Sequence, residues 1–238
     1  MDDAQETHEE GRASLPESGP PPALPPLPLR FVQVFVSPGV LFEKLKENPR
    51  WFGALALGTV LAIAAMAAIP ADVWTEWFRL RMMESGQEMP EGMDFGGVQR
   101  VFAMVAGVLG YLLFSVILAG ILTVIFGFVL GDEGRYKQYL AIVTHGGLIG
   151  TLGGVLVTPL RIIQRDPQAT LNVGLFAPFL EDGYLLNLLT MLDFFTLWGT
   201  VVMALGVASL DKKRTWGSAT AVLLVFTVGL MAIFAIFA

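Results

Sequence analysis

Residues 101–130 run for thirty positions without one charged side chain. As a helix rising about 1.5 Å per residue, that stretch alone would reach roughly 45 Å. Crossing the ~30 Å hydrocarbon core of a bilayer takes about 20 residues. Four more blocks share this character: 51–69, 140–160, 184–210 and 216–238. Within them stand one histidine, His145, and one acid, Asp193. Composition agrees. Only 15% of the chain is charged and 54% is hydrophobic, whereas a soluble domain needs about 25% charged residues to cover its surface. The fold class expected is all-α: a polytopic membrane protein, a bundle of five transmembrane helices with short interfacial helices. The spans fall at about 51–70, 101–130, 140–160, 186–210 and 216–238. The second block is overlong, so it must tilt, bend or enter the interface, and its glycines offer bending points.

The charge left out of the blocks is informative. Residues 1–29 hold six acids, one arginine and a proline-rich run. Such composition reads as a disordered, acidic cytoplasmic tail, and it lacks the basic-then-apolar order of a signal peptide. Residues 30–238 form the membrane domain. Ser37-Pro38 reads as a helix start and Asn48-Pro49 as its end. Leu41, Phe42 and Leu45 share one face of that helix, which lies either on the membrane surface or on the protein itself. In the loop after the first span, Val73, Trp74, Trp77, Phe78 and Leu80 recur at near-helical spacing. Tryptophan favours the headgroup level, so an interfacial helix is expected there. Ten Lys and Arg fall on the side of the N-terminus and five on the other. By the positive-inside rule the N-terminus is cytoplasmic and the C-terminus outside, in the cell (inner) membrane.

Chemistry finds few carriers. The chain has no cysteine, which excludes disulfides, thiolate metal sites and Cys nucleophiles. Two histidines, His8 and His145, are too few for a multi-His metal centre. The net charge of −6 argues against nucleic acid. Asp193 and His145 make neither a carboxylate pair nor a triad, so no catalytic, cofactor-binding or metal residues are expected and the chain is not read as an enzyme. Asp193 is a candidate functional residue, because an acid inside a membrane is costly. Its place in the first turns of an inward-running span equally suits a structural carboxylate favoured by the helix dipole. His145 is either a second functional residue or a neutral packing histidine. Their depths differ, so direct contact is not expected. Gly146, Gly150 and Gly154 recur every four residues and mark a close helix-packing face, toward another span or another protomer. Pro159, beyond them, is expected to kink or end that helix.

Several segments then resemble a known family. Residues 37–51 (SPGVLFEKLKENPRW) are similar to the entry segment of bacterial members of the Yip-domain family, named for interaction with Ypt/Rab GTPases. The turn and segment from Gly131 to Thr144 and the run Leu192-Asp193-Phe194-Phe195-Thr196-Leu197-Trp198 also resemble that family, in the same order. The resemblance spans residues 30–238. It implies a five-helix integral membrane protein without catalytic residues, contacting the lipid bilayer and membrane-protein partners or a second copy of itself. A GTPase partner does not carry over to a bacterial chain. The expected function is therefore non-enzymatic organisation of membrane or partner proteins. The alternative is a small permease or channel-like protein using Asp193 and His145.

Overall fold

A computed structural model describes residues 23–87 and 96–237. Most of the expected acidic tail (residues 1–22) and the polar stretch 88–95 lie outside the described residues. Among the described residues the chain is helical throughout, with one isolated antiparallel bridge between Asn172 and Asp193.

Prolines place the first two helices. α1 (Leu27–Val36) and α2 (Pro38–Glu47) each carry a proline in the first turn, where a helix start leaves the N–H unbonded anyway. The sequence reading assigned Leu27–Leu29 to the tail, yet α1 starts there and buries Val34 and Arg30. α2 ends at Asn48 as its sequence implies. Its apolar face is settled: Leu41, Phe42 and Leu45 are at most 1% exposed and join the main core. They pack on α6 and α8 rather than lying against lipid.

α3 (Phe52–Ala67) and α4 (Ala71–Glu84) meet at an angle of 79° across the break before Pro70. α4 stands where the tryptophan spacing predicts a helix, with Val73 and Trp74 buried against Ile69, Met66 and Ala103. α5 (Gly96–Leu122) continues into a π-helical stretch, Thr123–Val129. The overlong block thus ends in wider winding, then turns at Gly131 with φ 73°. α6 (Tyr136–Gln164) runs on past Pro159, so of the kink or end expected there the proline does not make the end. It ends at Arg165, which takes the left-handed conformation with φ 58°.

The block 184–210 is divided. α7 (Tyr184–Met191) and α8 (Phe194–Leu210) are separated at Leu192-Asp193. α9 (Trp216–Phe234) starts on Thr215, whose hydroxyl accepts from the Ser218 N–H at 3.2 Å. Among the described residues three helices are long and apolar enough to cross a membrane alone: α5 with its π stretch, α6 and α9. The bent pair α3–α4 makes a fourth if it counts as one span. The 17-residue α8 stands at the lower limit of the ~17–25 residues of a crossing. α6 is the central helix: 61% of its most apolar stretch is buried, against 28% for α5 and 11% for α9. It packs on α3, α5 and α8, and on α1 and α2 at its N-terminal end.

Candidate functional site

The glycines of α6 do two different jobs. A Cβ on Gly146 would strike the Met203 side chain, and one on Gly153 would strike the ring of Phe195. Gly199 of α8 answers from the other side, with the Gly146 carbonyl 3.3 Å from where its own Cβ would stand. Small residues here let α6 and α8 approach closely, as expected for membrane helices lacking a hydrophobic force between them. Gly150 and Gly154 are different: nothing lies within 4 Å of where their Cβ would be. They floor an open groove.

That groove encloses about 710 Å³, within the ~300–1,000 Å³ usual for ligand sites. α3 and α5 form one wall and α8 and α9 the other. Its lips are apolar and exposed: Phe114 57%, Ile117 57%, Phe234 56%. The Tyr111 hydroxyl lies 3.3 Å from a Cβ on Gly147 and has no hydrogen-bond partner among the described residues. At one end the groove joins a second cavity of about 450 Å³, sharing Gly150, Gly154, Arg161, Phe195 and Thr196 with it. Here polar groups join the lining: Asp193, Thr170 and Thr190.

Asp193 is the N-cap of α8. Its Oδ1 accepts from the Thr196 N–H at 2.8 Å and from the Thr196 hydroxyl at 3.0 Å. The carboxylate thus satisfies a free amide at a helix start, where the dipole also favours negative charge. The backbone on either side is pinned: Phe194 N–H donates to Leu171 O at 2.9 Å, and Val173 N–H to Leu192 O at 3.1 Å. Arg161 of α6 lies close enough to feel Asp166 and this carboxylate, and its Nε donates to Ala169 O at 2.9 Å.

His145 sits elsewhere, fully buried. Its Nδ1 is 2.8 Å from Ala141 O and its Nε2 is 3.3 Å from Arg30 Nη1. A carbonyl can only accept and a guanidinium can only donate. The ring must therefore be neutral, with its proton on Nδ1 and Nε2 accepting from Arg30. The same Nη1 also donates to Arg50 O at 3.1 Å. Burial, and Arg50 beside it, pull the Arg30 guanidinium below its ordinary range. From His145 to Arg161 there are sixteen residues of α6, roughly 24 Å of helical rise. The structure does not bring His145 and Asp193 together.

Polar clusters that sequence reasoning missed close the two ends. At the His145 end, Arg214 forks onto Asp132 at 2.8 and 2.6 Å and lies 5.4 Å over the Phe126 ring. Asp211 accepts from the Glu133 N–H at 3.1 Å and the Lys213 N–H at 2.7 Å. Those bonds, that of Lys213 first, hold its carboxyl below the usual range. Lys46 Nζ donates to Ser209 O and Gln138 Nε2 to Lys46 O, each at 2.7 Å, tying α2 to α6 and α8. At the other end Arg165 bridges Asp72 and Glu76 of α4. Its hydrogen bond holds the Asp72 carboxyl low, but these side chains are 42–65% exposed, so the bridge adds little stability. The partners Asp132 and Arg214 are 82 positions apart, and a lone sequence carries no signal that joins them.

Comparison with known proteins bears out the resemblance read from the residues. The family model of the Yip1 domain matches residues 32–236. A curated relative, "Membrane protein YknW" of Bacillus subtilis (strain 168), is 25% identical over 209 residues, covering 86% of this chain and 87% of the relative. No solved structure matches the chain.

Proposed function

The chain belongs to the Yip1 domain family, and from that premise we propose that it is a non-enzymatic, multi-pass membrane protein that organises its membrane or its partner proteins by binding. It crosses the membrane five times, through α3, α5, α6, α8 and α9. Asp193 and Asp211 bound α8 at its two ends, which suits a short span between polar surfaces. The N-terminus is cytoplasmic and the C-terminus outside, with residues 1–29 as an acidic tail before the membrane domain of 30–238. The bilayer held is the cell membrane.

The groove carries this reading. The polar groups of the core serve helix geometry: Asp193 caps α8, and His145 holds Arg30. The groove is instead apolar, floored by glycine and open sideways between α5 and α9. Binding, not bond-making, is what such a surface does. A deletion strain tests it by native-gel profiles of membrane complexes. Loss of the protein shifts defined complexes, Gly150→Trp reproduces the shift, and Asp193→Asn does not. An unchanged profile in the deletion strain contradicts the proposal, as does a shift seen with Asp193→Asn but not with Gly150→Trp.

A permease reading has one observation in its favour, since the groove reaches Asp193. It also needs His145, which faces Arg30 at the other end. Proteoliposomes report on it directly: an ion flux abolished by Asp193→Asn and His145→Gln would establish transport over organisation.

A further inference from the structure

We propose that the groove holds one phospholipid with an amine headgroup, its phosphate on Arg161, its ammonium toward Asp193 and an acyl chain along Gly154, Gly150 and Gly147. The inference rests on the binding reading above and names the ligand.

Three features select this class. The first is the join of a long apolar groove to a smaller, more polar cavity at one end. An amphiphile has that division, and a purely apolar ligand would leave the polar end unmatched. The second is charge. Arg161 and Asp193 line the same cavity, one of each sign. The Arg161 Nε is held on Ala169 O, which fixes the guanidinium fork and leaves both terminal nitrogens to meet phosphate oxygens. Both capping bonds of Asp193 use Oδ1, so Oδ2 remains to accept from an ammonium. Thr170 and Thr190 add hydroxyls around them. A zwitterion satisfies the pair, whereas an anionic headgroup would set a second negative charge against Asp193. The third is access: the exposed, apolar lips Phe114, Ile117 and Phe234 open the groove to lipid directly, without passage through water.

The test is lipid retention by the full chain in mild detergent, read by native mass spectrometry. The protein is stripped of lipid and then offered phosphatidylethanolamine, phosphatidylglycerol or phosphatidylcholine. The expected result is one retained phosphatidylethanolamine. Arg161→Gln weakens its retention about tenfold, as loss of a charge-assisted contact implies. Gly150→Trp abolishes retention by filling the floor. Asp193→Asn keeps the helix cap and so isolates the charge; it removes the preference for phosphatidylethanolamine over phosphatidylglycerol. Unfolding temperature in the same detergent confirms that each variant is folded. Equal retention by wild type, Arg161→Gln and Gly150→Trp overturns the proposal. So does a photocrosslinker at Ile117 that captures a second copy of the chain or another protein instead of lipid. If lipid is not retained but Gly150→Trp still shifts the native-gel profiles, the ligand falls and the binding reading stands.

Discussion

Asp193 closes the start of α8 with its own side chain, Oδ1 accepting from the Thr196 N–H. A carboxylate in the first turn of a span is costly in lipid but favoured by a helix start, and it does cap α8. What the sequence hid was the break before it, because Leu192 is as apolar as its neighbours. Asp193→Ala is expected to lower stability by about 1 kcal/mol, and Asp193→Asn by much less, measured by unfolding in detergent. His145 was legible as a buried polar group but not as the partner of Arg30, 115 positions away. Replacing His145 with Leu leaves the Arg30 Nη1 one acceptor short, at a cost of about 1–3 kcal/mol. The double variant Arg30→Leu/His145→Leu recovers part of that loss, so the two changes are not additive. Additive losses would show that the pair is uncoupled.

At the scale of elements, α6 explains most of the fold. Its glycine repeat was plain in the sequence, because it follows from local composition, whereas its reach from Tyr136 past Pro159 to Gln164 was not. Which glycines face a helix and which face a groove was not, since that depends on Met203 and Phe195 of α8. Gly146→Val and Gly153→Val are expected to destabilise by about 1–3 kcal/mol through overpacking. Gly150→Ala and Gly154→Ala are expected to be neutral or slightly stabilising, because open space meets them and alanine favours helix. Thermal unfolding of the four variants separates the two groups. α1 escaped sequence reading for a local reason: Pro28 belongs to a proline-rich run yet fits the first turn of a helix. α2 was recognised as amphipathic, but its burial on α6 and α8 required knowing where those helices lie.

For the whole molecule, the ends are as telling as the middle. Loops between distant helices are tied by Asp132, Asp211 and Arg214, while the groove opens between helices that share only α6 as a floor. Asp211 makes one end sensitive to acid. Its folded-state pKa lies below its unfolded value, so its contribution is complete above the ordinary carboxylate range near pH ~4 and disappears as pH falls through the depressed value. The stability gap between wild type and Asp211→Asn should therefore be widest at neutral pH and close in acid. A gap that is constant with pH would contradict that assignment.

The central claim is a five-pass bundle that sets the groove within the bilayer, and labelling of single cysteines in intact cells tests it most directly. The chain has no cysteine of its own, so each introduced thiol reports alone. Ser85, Gln168 and Phe237 are exposed, as are Lys137 and Lys212. Replaced singly by Cys, the first three should react with a membrane-impermeant maleimide from outside. The last two should react only after permeabilisation. Labelling of Gln168→Cys and Lys212→Cys from the same side would remove the α8 crossing and contradict five passes.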